Sequence, residues 1–302
     1  MIPYDFFKKV EGHMNYIIYG DTDSSYINIP QVKILNNKET YEKANEISLE
    51  INQAIKKYMD KVLLPKMGVN PQYNYTQFKT ELVATAILFL DIKKNYAYKM
   101  IVDEGKILEK PQVEYSNFSV KKSDTPEFTK KFIKEVVEDI LFDDNFSYGI
   151  AKQKIFKLVQ QKRNELIQKI KDYDFFEIST PKKWGLDYKV NPHQVLAMKL
   201  YNTLNQKEIF KPMSTCLLLP VKINNFIDFE TKIIEIKKSK NDFFIQDEPL
   251  IKINKIAIPY NYDKTHLENL FQYYNIGIDI DECWSILLNK TLLRIIELCK
   301  TF

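Results

Sequence analysis

Apolar positions along the 302-residue chain recur at two periods, and the changes between them mark its elements. Residues on both sides of Gly20-Asp21-Thr22-Asp23 are β-branched or aromatic, and the join is turn-forming. Two short strands, Asn15–Tyr19 and Ser24–Ile29, are therefore predicted as a hairpin. The period then lengthens. Ala44, Ile47, Ile51, Ile55, Tyr58 and Val62 fall at helical spacing, predicting a helix over Thr40–Leu63 that Pro65 closes. Strands resume at Lys79–Leu90 and Lys94–Val102, followed by a turn at Asp103-Glu104-Gly105 and another short strand.

Ser123-Asp124-Thr125-Pro126-Glu127 reads as a helix start, with Thr125 as the cap, Pro126 in the first position and Glu127 favouring the dipole. The helix that follows places Phe132, Ile133, Val136, Val137, Ile140 and Leu141 on one face. A second helix, Tyr148–Ile170, is basic through Lys152, Lys154, Lys157, Lys162, Arg163, Lys169 and the adjoining Lys171. Strand-like runs lie at Thr215–Val221 and Lys232–Ile236, and residues 265–302 read as helical with a break at Ile276-Gly277-Ile278. No internal repeat or low-complexity linker interrupts the chain. The composition change near 121–128 is the expected domain boundary, giving domains 1–122 and 123–302.

Composition narrows the class. With 45% hydrophobic and 13% aromatic residues, the chain can build a packed core, which excludes a disordered protein. Cys216, Cys283 and Cys299 are odd in number and lack C-x-x-C spacing, against a disulfide framework or zinc ribbon. His13, His193 and His266 are too scattered for a local metal motif. The most apolar run, Leu82–Leu90, is about half a membrane span. Met1-Ile-Pro-Tyr-Asp-Phe-Phe lacks the charged and apolar regions of a signal peptide, so a soluble cytoplasmic protein with no membrane partner is expected. The net charge of +4, from 44 Lys and Arg against 40 Asp and Glu, neither demands nor excludes nucleic acid.

The chemistry concentrates at Asp21 and Asp23. Two carboxylates one residue apart on a tight turn offer oxygen ligands to a hard ion, which suits phosphoryl transfer. A bare Gly-Asp-x-Asp also serves simply as a hairpin turn. Downstream, Leu90-Asp91-Ile92-Lys93-Lys94-Asn95-Tyr96-Ala97 presents point charges and a flat ring suited to phosphates and sugars. On a strand, Lys94 and Tyr96 would share a face and Lys93 would point away. A solvated edge strand guarded by lysines would read the same way.

The hexapeptide Tyr19-Gly20-Asp21-Thr22-Asp23-Ser24 between apolar strands resembles motif C of family B DNA polymerases, and the chain is most similar in style to their tailed-phage and viral members. The resemblance implies an α+β fold: the C-terminal part of an antiparallel palm sheet with packed helices in 1–122, then a mostly helical thumb in 123–302. It implies DNA-directed DNA synthesis by a two-metal site. Asp23 would ligate both Mg2+ ions and Asp21 would support them, with Tyr19, Gly20, Thr22 and Ser24 shaping the motif. Ser25 stands where an apolar residue is usual.

Residues 93–97 resemble the family's Lys-Lys-x-Tyr-Ala motif, which implies that Lys93, Lys94 and Tyr96 hold primer–template DNA; Asn95 replaces a common Lys or Arg. Glu81 falls where many relatives carry an acidic residue near the metals, although as a residue it reads equally as an exposed strand Glu. Ser123–Pro126 resembles the cap of the family's thumb-entry helix, and Lys182–Leu186, Pro192–Val195 and Leu200–Asn202 resemble, in order, the loop and helix that line product duplex. The implied partners are primer–template DNA, deoxynucleoside triphosphates and an N-terminal polymerase fragment carrying the exonuclease, the first palm motif and the fingers. Those parts are not among these residues, so a split or truncated enzyme is expected, inactive without them. The alternative is a non-catalytic remnant that binds duplex DNA or a replisome partner.

Overall fold

The computed structural model describes residues 17–20, 25–27, 36–77, 79–143, 148–186, 192–237, 241–246, 249–250 and 253–298. The chain is α+β, as the sequence predicts, and divides into two compact units. One comprises 1–85 with 99–112, the other 86–98 with 113–302; the composition change at 121–128 falls inside the second.

The first unit opens with strands β1 (Ile17–Gly20) and β2 (Ser25–Ile27), paired antiparallel with Tyr19 opposite Tyr26 and Gly20 opposite Ser25. A register shift between Ile17 and Tyr19 marks a bulge. Helix α1 (Asn37–Tyr58) starts three residues ahead of the expected Thr40, because Asn36 caps it. The Asn36 side chain accepts the Glu39 N–H at 2.9 Å, and the Thr40 hydroxyl donates to the Asn36 carbonyl at 2.8 Å.

Pro65 does not close this helix. The chain passes through a π-helical turn, Met59–Leu63, into a last turn α2 (Leu64–Lys66), with the Leu64 N–H reaching back to the Met59 carbonyl. The wider turn accommodates a ring that has no N–H and would crowd the carbonyl four residues earlier. The stop comes at Gly68, whose φ of +70° suits a residue without Cβ. There the Val69 N–H bonds the Leu64 carbonyl at 2.9 Å and the Gly68 N–H bonds that of Pro65 at 3.1 Å.

Strands β3 (Leu82–Phe89), β4 (Tyr96–Asp103) and β5 (Lys106–Ser116) form a three-stranded sheet in that order. Glu104 and Gly105 join β4 to β5 with φ of 45° and 79°, the two positive values that a type I′ hairpin turn requires. A Cβ at Gly105 would meet the Tyr41 hydroxyl at 3.1 Å.

The second unit is built around helix α3 (Glu127–Leu141), which buries Phe128, Phe132, Ile133, Val136, Val137 and Leu141. Its start differs from the expectation. Pro126 occupies the cap position and Thr125 is buried without capping, so no side chain closes this end. The carbonyl of Glu177 does so instead, accepting the Phe128 N–H at 3.0 Å. Helix α4 (Tyr148–Lys171) follows, and then a second sheet: β6 (Thr180–Lys183), β7 (Thr215–Ile223), β8 (Lys255–Ile258) and β9 (Ile276–Ile278). Strand β7 is central and pairs antiparallel with the other three. Pro220 sits where β7 passes from β8 to β9, a point at which a missing N–H is tolerated.

Two segments depart from the pattern-based expectation. Lys232–Ile236 is not a strand but lies within α6 (Phe226–Lys237), after α5 (His193–Asn205). Its β-branched residues suggest a strand, yet burial repeats every four positions, at Phe229 and Ile233, while Ile234 is exposed. The break at 276–278 is strand β9, which pairs with β7 through Ile278 opposite Val221. Helices α7 (Lys264–Tyr273), α8 (Ile280–Leu287) and α9 (Lys290–Leu298) complete the unit. Among the described residues, no helix is long and apolar enough to cross a membrane.

Asn202 on α5 is fully buried and satisfied by four hydrogen bonds. Its amide donates to the Phe210 and Phe243 carbonyls at 2.7 and 3.2 Å, and its oxygen accepts the Ile209 and Phe210 N–H groups at 2.9 and 2.8 Å. Leu200 and Tyr201 are also buried, so this stretch serves the core rather than a surface facing duplex. Asn202→Ala leaves several buried polar groups without partners and is expected to cost about 3 kcal/mol, given about 1–3 kcal/mol for each. Urea unfolding followed by circular dichroism would show it; a loss below about 1 kcal/mol would mean the loops close without this residue.

Candidate functional site

Two places carry the predicted chemistry, and each is described within its own unit. In the first, the backbones of Tyr19 and Gly20 lie on β1, with Gly20 paired to Ser25 on β2. Asp21, Thr22, Asp23 and Ser24 lie outside the described residues. Ser25 is exposed, so a hydroxyl there displaces no core packing. Glu81 is exposed immediately before β3. Among the described residues, no group of three or more His, Cys, Asp or Glu side chains is arranged to hold a metal ion.

The second place is the turn from Leu90 to Tyr96. Leu90 and Ala97 are buried on either side of it, and the Leu90 N–H bonds the Asn95 carbonyl at 3.0 Å. Lys93 and Lys94 are both exposed on this turn. The expected strand face shared by Lys94 and Tyr96 does not form: β4 begins only at Tyr96, and Lys94 has a φ of 67°. A left-handed residue ends the strand alternation on which that expectation rested. The Tyr96 ring lies against Phe89 and Tyr98, with centroids 5.8 and 6.0 Å away. Asn95, which stands where a basic residue is common, acts locally, its amide donating to the Lys93 carbonyl at 3.2 Å.

Four of the seven basic residues predicted along α4 are paired with acids within the protein. Lys154 pairs with Asp143 at 3.1 Å, Lys162 with Glu135 at 3.0 Å, and Arg163 with Asp281 at 3.0 Å. Lys169 pairs with Glu177 at 3.0 Å and Asp174 at 3.3 Å. A sequence shows the lysines on one helix, but not the acids that other elements bring against them. Near β6, Lys182 lies 3.1 Å from Asp124, and its hydrogen bond holds the Asp124 carboxyl below its ordinary value.

Comparison with known proteins adds a likeness of fold. A search of solved structures finds a family B DNA polymerase, that of the hyperthermophilic archaeon Pyrobaculum calidifontis, at a TM-score of 0.51 and 16% sequence identity. The match covers 97% of this chain and 27% of the archaeal chain, so the protein spans about a quarter of its neighbour's length. At that identity the likeness establishes the fold alone: α+β with antiparallel sheets, consistent with a palm-and-thumb fragment of a polymerase. No protein-family model and no curated protein matches the sequence.

The two described thiols are buried in the core. Burial pushes both Cys216 and Cys283 up to about 12, which leaves them protonated and unreactive at neutral pH. Iodoacetamide at pH 8 is expected to leave both unmodified in the native protein and to label them in denaturant, read by mass spectrometry of the peptides. Rapid native labelling of either would contradict the packing around β7 and α8.

Proposed function

We propose that this chain is the palm-and-thumb portion of a DNA-directed DNA polymerase. It contributes carboxylates and primer–template contacts to nucleotidyl transfer in DNA replication. One coincidence carries the reading. The strands flanking Tyr-Gly-Asp-Thr-Asp-Ser pair as an antiparallel hairpin, with Gly20 opposite Ser25, in a chain whose fold is similar to a family B polymerase over 97% of its length.

The donor chemistry of the turn fits Mg2+: Asp21 and Asp23 are hard oxygen ligands, separated by one residue between paired strands. When bound, the ions neutralise charge on the incoming triphosphate and favour attack by the primer 3′ oxygen. Asp23 would be the bridging ligand and Asp21 its support, while Glu81 stands as a further acidic residue in the same unit. Lys93 and Lys94 present two exposed charges from one turn, and the partly buried Tyr96 ring is held in place beside them. Together they grip the primer–template backbone.

Nucleotidyl transfer by two metals needs a second palm strand with its own carboxylate, and a fingers helix to hold the triphosphate. Neither is recognisable among the motifs of this sequence. The chain therefore acts together with a polymerase portion that supplies both.

In the assembled polymerase, Asp23→Asn is expected to reduce nucleotide incorporation by roughly a thousandfold or more, leaving primer–template affinity within about twofold. Asp21→Asn should cost less. Single-turnover extension beside an equilibrium DNA titration separates the two effects. Near-normal incorporation by the Asp23 variant would remove the metal-ligand assignment.

A further inference from the structure

The two lysines of the Leu90–Tyr96 turn are held by their main chain. Asn95 takes the Lys93 carbonyl at 3.2 Å, and Asn117, from the segment after β5, takes the Lys94 carbonyl at 3.1 Å. Lys94 has a left-handed backbone, which a lysine keeps only where its surroundings hold it. Asn117 is left-handed too, with φ of 53°, a conformation that asparagine tolerates better than most residues.

Asn117 is in turn fixed on both sides. Before and after it, Tyr115 and Phe118 are buried and meet edge to face with centroids 5.6 Å apart. Two residues on, the Ser119 hydroxyl shares a buried 2.6 Å hydrogen bond with that of Thr291 in the first turn of α9. One helical turn further, the Arg294 Nε lies 3.5 Å from Asp91 at the start of the lysine turn. That last pair joins a half-buried Arg294 to an exposed Asp91 and is weak. Asn117 supplies a hydrogen bond to the Lys94 carbonyl from outside the turn.

We propose that Asn117 is a positioning residue for primer–template binding, acting through the main chain of Lys94, with Thr291 and Arg294 of α9 completing the brace. The proposal rests on the reading of Lys93 and Lys94 as phosphate contacts. A lysine is a point charge on a flexible stem, so the place of its charge depends on how firmly its backbone is held. If the turn is loose in the free protein, binding must order it, and affinity falls by about tenfold for a residue or so newly fixed.

The test uses the full 302-residue chain and a labelled primer–template duplex with a 5′ overhang, titrated by fluorescence anisotropy at several KCl concentrations. Lys93→Ala/Lys94→Ala is expected to weaken binding and to lower the salt slope by about two units, one per phosphate contact. Asn117→Gly keeps the backbone conformation accessible and removes the amide. It should weaken binding about tenfold when both lysines are present and by less than about twofold when both are alanine.

Asn117→Ala, which has no donor for the Lys94 carbonyl and adds no charge near the DNA, should behave in the same way. It carries the test if the glycine variant does not fold. An equal loss with and without the lysines would mark Asn117 as structural only and overturn the inference. So would wild-type binding by both Asn117 variants while the lysines matter. If removing the lysines changed neither affinity nor slope, the phosphate-contact reading would fall, and the inference with it.

Discussion

Asn202 closes two loops with one side chain, and the second unit depends on that kind of closure throughout. Its sheet is central to the core: β7 is buried from Cys216 to Val221 and shares its edges with β6, β8 and β9. Where the chain is buried beside that sheet, its N–H and C=O groups need protein partners. Asn202 serves the chain at Ile209, Phe210 and Phe243, and Thr203 next to it accepts the Ile245 N–H at 2.9 Å. The same requirement explains why the Glu177 carbonyl, and no side chain, completes the start of α3. Removing any one of these partners costs more than losing an average surface contact, because the other group stays buried.

Local signals in the sequence carry a good part of this fold. Local pattern finds the paired strands at 17–20 and 25–27 and the turn at Glu104-Gly105, since both depend on a few neighbouring residues. Helical period finds α1, α3 and α4. The misses occur where backbone geometry or tertiary packing overrides the local signal. Pro65 is a helix stop until a π-helical turn makes room for it, and Thr125 is a cap until Glu177 arrives from another element. The run Ile233-Ile234 suggests a strand until one isoleucine is buried and its neighbour is not. Strands β6, β8 and β9 are only three or four residues each and hold their form through β7, which short-range pattern cannot reveal.

The candidate site divides in the same manner. A hexapeptide with two carboxylates between apolar strands is legible without any structure, because its chemistry is contiguous. The lysine turn is legible in its residue types but not in its geometry. Strand alternation predicts a shared face for Lys94 and Tyr96, while the left-handed Lys94 and the Asn117 bond place the lysines on a braced turn. The basic face of α4 is the reverse case, obvious in sequence and then offset in part by Asp143, Glu135, Asp281, Asp174 and Glu177. Fold likeness at 16% identity and a contiguous acidic motif are separate lines of support. The functional reading is strongest because they fall in one chain.

The central claim is that this chain holds one part of a divided catalytic centre. Primer extension by the purified chain, with and without a polymerase fragment carrying the complementary palm strand and fingers, tests it most directly. The account predicts no extension by either polypeptide alone, and Mg2+-dependent extension when they are combined in equal amounts. Robust extension by this chain in isolation, or a stable complex of the two that extends nothing, would contradict it.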